Sequence, residues 1–338
     1  MKQKPEDSVR IYSAGLLLTQ IDILMAEIDG VRAAKDIEAV HKTRVSSRRT
    51  RAILDVFQDC LPARRGGFWM QKVRRLTGAL GAARDTDVQI VTVQAIMKEL
   101  PEPEMRAGFR RLLLRLSQRR QNLQARVITR LDEFVSSGVA DEIHAACTGL
   151  ISRSQSVYLY TPELYRRSFE SIRANFEIFR SYEDRIQDPA NIEDLHAMRI
   201  AGKNLRYTME CFSSIYSHEL KQHLGIMKNA QETLGSIHDC DVWTAELPLF
   251  LEKERDLTIA YFGRDRYAGR FEPGIQYLLE NRVQNRKELY KAFIENWNRW
   301  KNESVWDSLF QLLQVPFFAE KEIMPLSLIK QVKNGGEQ

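Results

Sequence analysis

The sequence predicts an all-α protein, and three observations lead to that prediction. Long segments repeat their apolar residues with a period near 3.6 and are rich in strong helix formers, as in 105–134 and 162–182. The alternating pattern and turn pairs of β-hairpins are nearly absent. Prolines fall between the periodic segments, where they end one helix or open the next. The helices are therefore expected to pack against one another around an apolar core.

The predicted helices follow one another along nearly the whole chain. In chain order they are expected at about 7–30, 37–60, 66–98, 103–136, 139–152, 162–186, 191–216, 218–254, 273–301 and 303–313. Pro103 and Pro162 lie near helix starts, and Thr161 is placed to cap the helix that begins at Pro162. The segment 263–274 is the best candidate for a long loop, and the tail after Pro325 is expected to be loosely ordered.

Composition limits the class of protein. With 338 residues, 43% of them hydrophobic, the chain can bury a large core, and its length predicts about two units. The most apolar run, AGLLLTQIDILMAEI, is interrupted by Asp22 and Glu27, so neither a membrane span nor a membrane partner is predicted. The N-terminus lacks the apolar core of a signal peptide, and the four cysteines show no CxxC spacing. A reduced, cytoplasmic protein is expected.

Charge is segregated along the chain. Net charge is only +5, yet segment 41–130 carries 20 Lys and Arg against 7 Asp and Glu, whereas segment 131–200 carries 7 against 12. Segment 105–130 holds eight arginines and no acid. Solvated helix faces normally mix the two signs through i,i+4 pairs. The segregation therefore favours a face that binds polyanions over ordinary solvated helices.

An internal repeat divides the chain into two halves. HKTRVSSRRTR aligns with HAMRIAGKNLR at an offset of 155, and LGAARDTDV aligns with LGSIHDCDV at 154. A weaker match pairs RRQN with RVQN. These matches occupy 41–51 and 196–206, 80–88 and 234–242, and 119–122 and 282–285. They predict two pseudo-symmetric helical halves, 1–155 and 156–318, followed by a tail, 319–338.

The first repeat places basic residues along one narrow helix face, because each residue turns about 100°. We call these two rows the basic stripes: His41, Arg44, Arg48 and Arg51 in the first half, and His196, Arg199, Lys203 and Arg206 in the second. Cations in such a row repel one another unless anions lie against them. Arginine binds phosphate oxygens in a bidentate manner, and histidine adds a donor or a charge. Two stripes together would form a central basic groove suited to a linear polymer of phosphates.

Two other kinds of protein stay open at this point. His238 and Asp239, with His196 and Asp241, resemble the ligands of helical metal-dependent phosphohydrolases, and a metal-dependent phosphohydrolase or phosphotransferase is the alternative. The repeat disfavours this reading, because Arg84 occupies the position of His238 in the first half and arginine is not an ordinary metal ligand. A helical adaptor that holds an acidic protein is a third class. Specific nucleic-acid binding is not predicted, since no helix-turn-helix or zinc-finger motif occurs.

Four motifs in order carry a resemblance to a known family. VHKTRVSSRRTRAILDVF, LGAARDTDV, LHAMRIAGKNLRYTMECF and LGSIHDCDV resemble the two halves of a CHAD domain (conserved histidine α-helical domain) over about residues 5–315. The resemblance implies two four-helix bundles around a basic central groove, binding of inorganic polyphosphate, and targeting to polyphosphate granules of prokaryotic cells. The positions it marks as binding residues are His41, Arg44, Arg48, Arg51, Arg74, Arg84, Arg119, His196, Arg199, Lys203, Arg206, Tyr207, Lys228 and Arg282.

The chain departs from the family pattern at a few places. His238 replaces a more usual basic or polar residue, and Gly202 lies within the second basic stripe. No CYTH-type triphosphate-processing domain precedes the motifs, which favours a binding module over an enzyme. The expectation is a stand-alone polyphosphate-binding protein with no cofactor, and the sequence leaves homo-oligomers open.

Overall fold

The computed structural model describes residues 6–34, 37–100, 102–152, 160–216 and 219–314. These residues form α-helices joined by short loops and 3₁₀ turns, with no strand among them, which confirms the all-α prediction. The helices are α1 Asp7–Ala26, α2 Ile28–Ala33, α3 Ile37–Val56, α4 Ala63–Lys98, α5 Arg106–Ser136, α6 Val139–Ser152, α7 Pro162–Arg180, α8 Ile192–Phe212, α9 Lys221–Phe262, α10 Glu272–Asn302 and α11 Val305–Gln314. The tail after Pro325 and the segment 319–338 lie outside the described residues.

Most helix starts and ends agree with the prediction, and two differences have physical causes. The first predicted helix is divided at Glu27, and α2 ends where Ala34 takes a left-handed φ of 50°. The helix predicted at about 218–254 continues to Phe262 as α9, with Pro248 inside it. Gly263 then ends α9 with a φ of 67°, a conformation in which glycine carries no steric cost. The predicted cap is confirmed: the Leu164 backbone N–H donates to the hydroxyl of Thr161 at 3.4 Å.

The two halves have the same order of helix neighbours. In the first half α1 packs on α3 and α6, and α4 packs on α3 and α5. In the second half α7 packs on α8 and α11, and α9 packs on α8 and α10. Each half therefore has four long helices and a short helix, α6 or α11, that packs on the first of them, and the first half also contains the six-residue α2. The halves also touch each other, through α3 with α8 and α5 with α10.

Equivalent residues of the two halves meet each other at two places. Phe57 and Phe212, which align in the repeat, are fully buried with ring centroids 5.4 Å apart. Gly108 and Gly274 meet where α5 crosses α10: a Cβ added to Gly108 would lie 3.3 Å from the Gly274 Cα, and one added to Gly274 would lie 2.1 Å from the carbonyl oxygen of Met105. Only glycine permits this approach. Contact between a residue and its own counterpart is what a two-fold relation between the halves produces.

Two apolar clusters hold the halves together. The larger one runs through both halves and includes Phe57, Phe212 and Trp297. The smaller one joins α4, α5, α9 and α10 and includes Phe109 and Trp243. Burying a large apolar side chain contributes about 1.5–3 kcal/mol. Because both clusters draw on both halves, α3 and α8 are held in a constant relation to α4 and α9, and these four helices carry the repeated motifs.

The N-terminal region Asp7–Ala33 is long and apolar enough to cross a membrane by length and composition. One apolar face of this region is buried in the protein, whereas Ile23 is 40% exposed. Leu17, Leu24 and Val31 are at most 1% exposed and belong to the larger apolar cluster. This packing against α3 and α6 is that of a core helix.

Candidate functional site

The two basic stripes lie on α3 and α8, which pack against each other across the boundary between the halves. Arg44 interacts electrostatically with Arg48 on its own helix and with Arg199 on the other. Lys203 in turn interacts with Arg48 and Arg44. The structure therefore brings the central residues of the two predicted stripes together into one group of like charges. We call Arg44, Arg48, Arg199 and Lys203 the cationic cluster.

Two glycines of the second repeated motif lie beneath the arginines of the cationic cluster. A Cβ added to Gly81 on α4 would lie 3.7 Å from Arg44 Nε, and one added to Gly235 on α9 would lie 3.8 Å from Arg199 Nε. Each guanidinium thus crosses the neighbouring helix at its glycine. A Cβ at either position would be in ordinary van der Waals contact with the arginine, so the LG pair of both repeats marks where each guanidinium passes the neighbouring helix.

Several buried donors of the stripes have no acceptor. The Nε atoms of Arg44, Arg51 and Arg199 are buried and make no hydrogen bond within the described part of the chain. Arg44 Nη2 does donate to Asp85 Oδ1 at 3.2 Å. A buried donor without an acceptor costs about 1–3 kcal/mol, and more when it is charged. An anion with several oxygens would satisfy these donors, so they mark where a ligand is expected.

Burial and mutual repulsion weaken the proton affinity of the cationic cluster. Burial, followed by repulsion from Arg48, lowers the pKa of Arg44, and burial also lowers the pKa of Arg199. Both remain charged, because a free guanidinium does not lose its proton in proteins. Burial, then Arg199, Arg48 and Arg44, lower the pKa of Lys203 to about 7. The cluster therefore holds more positive charge than its surroundings stabilise.

The histidines that begin the stripes are neutral at pH 7. Burial and Arg84 lower the pKa of His41, while burial, Arg199 and Lys203 lower the pKa of His196. His196 Nδ1 lies 3.0 Å from His238 Nδ1, so one nitrogen donates and the other accepts. Burial, then Arg199, lower the pKa of His238 to about 4. His238 thus stands beside His196 as Arg84 stands beside His41, which agrees with the alignment of the repeat.

The structure brings together two of the residues that the metal alternative requires as ligands, but it pairs Asp241 elsewhere. His196 and His238 are adjacent, as that alternative requires. Asp241 forms an ion pair with Arg286 instead of joining them. The described residues contain no group of three or more His, Cys, Asp or Glu side chains that could hold a metal ion. The donors that converge are two imidazoles beside Arg199, which is an unfavourable neighbour for a cation.

Each of the motifs LGAARDTDV and LGSIHDCDV contains two aspartates separated by one residue, which we call the DxD motif. In the first half these two aspartates contact different helices. Asp85 is 68% exposed and faces α3, whereas Asp87 is 6% exposed and accepts from Arg120 Nε on α5 at 2.7 Å. In the second half Asp241 accepts from Arg286 on α10 in the same way. The weak third match of the repeat had marked Arg119 and Arg282 as ligand-binding residues, not as partners of these aspartates. Arg120 and Arg286 are the residues that the structure pairs with the motif.

The sequence contains a spacing that marks Arg120 and Arg286 as equivalent residues of the two halves. Arg120 and Arg286 differ by 166, as do Gly108 and Gly274, whereas the RRQN match used an offset of 163. Three residues amount to nearly one helical turn, so the wrong offset still gave a plausible pattern. Arg119 itself is 53% exposed and lies 4.0 Å from Glu246, and Arg282 donates to Asn281. Neither belongs to the cationic cluster.

The acid-free run of arginines on α5 is not an acid-free surface. Arg111 and Arg115 both donate to Glu254 of α9, which is 2% exposed. Arg130 pairs with Glu133 on its own helix at 2.6 Å. Acids distant in sequence or just beyond the run neutralise these arginines. The charge segregation therefore overstated the extent of the basic face, and much of α5 carries structural ion pairs.

The end of the second stripe is also neutralised. Arg206 donates to Glu210 Oε1 and to Gln231 Oε1, both at 2.8 Å, and its guanidinium lies 4.9 Å from the ring centre of Tyr207. Glu210 also accepts from Arg49 Nε of α3 at 2.8 Å. This arrangement joins the two halves, and we call Arg49, Glu210 and Arg206 the α3–α8 clamp. Neither Arg49 nor Glu210 was predicted, because both lie off the stripe faces.

The remaining predicted residues lie at the edges of the stripes. Arg74 lies close enough to Arg51 to lower the pKa of that residue, after the larger effect of burial. Lys228 is 63% exposed and forms a surface pair with Glu232 at 3.8 Å. Tyr207 is 7% exposed and lies within electrostatic range of Arg44. These positions extend the stripes away from the cationic cluster.

Comparisons with known proteins agree with the motifs. The family model of the CHAD domain matches residues 15–248. Two uncharacterized proteins from two strains of Mycobacterium tuberculosis are 26% identical over 198 residues. The matched region is 56% of this chain but 37% of the length of each relative.

Two solved structures share the fold. The crystal structure of the CHAD domain from the plant Ricinus communis superposes with a TM-score of 0.56 at 17% identity and covers 94% of both chains. PptA from Streptomyces chartreusis gives a TM-score of 0.57 at 16% identity, over 85% of this chain and 98% of its own. The similarity of fold therefore extends beyond residue 248, where the family match ends.

Proposed function

The chain belongs to the CHAD domain family, and from that premise we propose that it binds inorganic polyphosphate at the cationic cluster between α3 and α8. The family is associated with polyphosphate binding in general. Within this chain the proposal concerns a particular place, a central basic groove whose two walls are the basic stripes, and particular atoms. The buried guanidinium nitrogens of Arg44, Arg51 and Arg199 are the observation that carries it.

A polymer of phosphates suits this group of cations better than a single anion. Each stripe runs along roughly 15 Å of helix, and cations of both stripes interact across the gap. One small anion can contact only a few of these donors at once. A chain of phosphates presents charged oxygens along its whole length, and guanidinium groups bind such oxygens with charge-assisted hydrogen bonds. An extended row of cations on the protein therefore favours a ligand that carries negative charge along its length.

We further propose that the chain is a binding protein and not an enzyme, and that it gathers on polyphosphate granules. The proposal draws on the family, on the absence of a three-ligand metal set among the described residues, and on the arginines that surround the histidine pair. In polyphosphate-accumulating cells a fluorescent fusion should form foci that coincide with the granules. Foci that persist in cells unable to make polyphosphate would contradict this localisation.

The central test removes one arginine from each half. Arg44→Gln combined with Arg199→Gln should weaken binding of a long polyphosphate by at least about 100-fold, because two charge-assisted contacts of about 1.5–3 kcal/mol each are lost. Affinity is measured by titration at constant salt. The matched control, Arg166→Gln combined with Lys291→Gln, removes the same charge from surface ion pairs on α7 and α10. Equal losses in the two double variants would show that the cationic cluster is not the site.

The metal-dependent alternative rests on one observation, the adjacent Nδ1 atoms of His196 and His238. It predicts that the chain releases phosphate from polyphosphate or a phosphate ester when a divalent cation such as Mn²⁺ or Zn²⁺ is added. It also predicts that His238→Arg, which copies the first half, abolishes this release. A stoichiometric, tightly bound metal together with metal-dependent release would favour the enzyme over the binding protein.

A further inference from the structure

Lys203 occupies an unusual place for a lysine. It is half-buried on α8 and makes no hydrogen bond or ion pair among the residues that the structure describes. Its charged neighbours are Arg199 on its own helix, Arg48 and Arg44 on α3, Asp85 on α4 and Asp239 on α9. Asp85 already accepts a hydrogen bond from Arg44. The other lysine sites named above, by contrast, are exposed amines with a carboxylate at the next helical turn.

This environment makes the Lys203 amine a nucleophile. An ordinary lysine is almost entirely protonated at neutral pH, with a pKa near 10.4. Burial and the neighbouring guanidinium groups lower the pKa of Lys203 to about 7, so about half of the amine is neutral there. Desolvation and nearby cations are the means by which proteins activate lysine as a nucleophile. The histidine pair is close enough to be influenced by the charge of Lys203, and its neutral imidazoles can accept a proton.

The same arginines would bring a phosphate-bearing electrophile to this amine. A cationic surface raises the local concentration of anions. An acyl phosphate combines an anionic phosphate, which arginine binds, with a reactive carbonyl carbon next to it. We propose that Lys203 is a modification site that acyl phosphates acylate selectively. The inference rests on the proposed function in one respect only, namely that the cationic cluster attracts phosphate groups.

The reaction balances without any further reactant. The neutral amine nitrogen of Lys203 attacks the acyl carbon, and an N–C bond forms. The bond between that carbon and the phosphate oxygen breaks, and inorganic phosphate leaves with the electron pair. The nitrogen loses one proton to water or to a neighbouring imidazole. The product is a neutral amide, so one cation disappears from the cationic cluster, and the affinity for polyphosphate should fall by roughly tenfold.

The first experiment compares lysines within one protein. The full chain is incubated with acetyl phosphate at pH 7.5 and low salt, and acylation of each lysine is followed by peptide mass spectrometry. Lys203 should react at least about tenfold faster than Lys228 or Lys291, although Lys291 is 80% exposed. Acylation of Lys203 at or below the rate of Lys291 would overturn the inference.

A second experiment distinguishes the attraction of acetyl phosphate to the arginines from the reactivity of the Lys203 amine. An uncharged acylating ester replaces acetyl phosphate in the same measurement. The preference for Lys203 over Lys291 should be several-fold smaller with the uncharged ester, because the arginines cannot concentrate it. An equal preference with both reagents would overturn the role given to the cationic cluster.

The variant Lys203→Arg tests whether acylation of Lys203 lowers the affinity for polyphosphate. Treatment with acetyl phosphate should lower the polyphosphate affinity of the unmodified sequence, whereas Lys203→Arg should keep the affinity that it had before treatment. Equal losses in both proteins would overturn the regulatory consequence. The two proposals can fail separately. Selective labelling without polyphosphate binding would sink only the proposed function, and polyphosphate binding without selective labelling would sink only the modification site.

Discussion

At the scale of single residues, burial leaves charged donors of the stripes without acceptors, which favours binding of an anion. Arg44 and Arg199 cross glycines of neighbouring helices, and their Nε atoms are buried without acceptors among the described residues. Lys203 interacts electrostatically with both, and burial, then Arg199, Arg48 and Arg44, lower its pKa. The free protein therefore bears a cost that an anion relieves. A ligand that relieves such a cost binds more tightly and stabilises the folded state.

Binding of polyphosphate should depend on pH through Lys203. Its pKa is about 7 in the free protein, and a bound polyanion raises that pKa by favouring the charged form. Between the two pKa values the complex holds more protons than the free protein, so affinity falls as pH rises above 7. The expected slope approaches about tenfold per pH unit, measured by titration from pH 7 to 8.5.

A lysine that cannot lose its proton supplies the control. Lys203→Arg keeps a charge throughout this pH range and should flatten the dependence. Neutral His41, His196 and His238 contribute at lower pH, because burial holds their pKa values below the ordinary histidine value. The same slope in Lys203→Arg and in the parent protein would contradict the assignment to this lysine.

At the scale of helices, the α3–α8 clamp sets the separation of the stripes. Glu210 accepts hydrogen bonds from Arg49 on α3 and Arg206 on α8, and it is 19% exposed. One carboxylate therefore accepts from two arginines, which leaves the clamp with a net charge of +1, and it joins α3 to α8. The clamp explains why a stripe of four predicted cations presents fewer free ones at its C-terminal end.

Removing the carboxylate of the clamp should move stability and affinity in opposite directions. Glu210→Gln should lower the free energy of unfolding by about 1–3 kcal/mol, because two charged partners lose their acceptor. It should also raise the affinity for polyphosphate, since Arg49 and Arg206 become available to phosphate oxygens. Urea unfolding and a binding titration measure the two effects.

The control for this variant removes a carboxylate from a surface pair. Glu295→Gln breaks the exposed pair with Lys291 and should change stability by less than about 0.5 kcal/mol. A fall in both stability and affinity in Glu210→Gln would show that the clamp is part of the binding surface and not a competitor for its arginines.

At the scale of the whole molecule, contacts between equivalent residues are those that a two-fold relation between the halves would produce, and such a relation would place the two short stripes together. Phe57 meets Phe212 and Gly108 meets Gly274, so equivalent residues face each other in the core and where α5 crosses α10. Stripes placed by the same relation also face each other, as Arg44 does Arg199. The two halves differ at one chemically important position. The first half presents Arg84 to its histidine, while the second half presents neutral His238.

The facing stripes predict a dependence on polyphosphate length and on salt. Affinity should rise steeply until the polymer is long enough to contact both halves, and more slowly beyond that length. If about four cations contact phosphates, affinity should fall by roughly 100-fold between about 50 and 200 mM salt. Titrations with polyphosphates of graded length measure both effects. Comparable affinity for duplex DNA at physiological salt would contradict specificity for polyphosphate.

The sequence by itself determined the helices, the repeat and the two stripes. These features depend on local periodicity and on residue spacing along one helix, which neighbours in sequence control. The alignment of His41 with His196 and of Arg84 with His238 already indicated which side chains would stand together. The four motifs indicated the family, and the match over residues 15–248 agrees with them.

Tertiary structure alone decided which cations stay available. Arg206 was predicted as a ligand-binding residue, but Glu210 and Gln231 hold it in the folded chain. Arg120 and Arg286 pair with Asp87 and Asp241. The repeat match had selected Arg119 and Arg282 as equivalents, because offsets of 163 and 166 differ by nearly one helical turn, which periodicity does not distinguish. Which acid meets which arginine depends on how helices cross and rotate. The partners lie 33 positions apart in Arg120 and Asp87, and 161 apart in Arg49 and Glu210. Periodicity places a charge on a face of a helix, but only packing determines what that face meets.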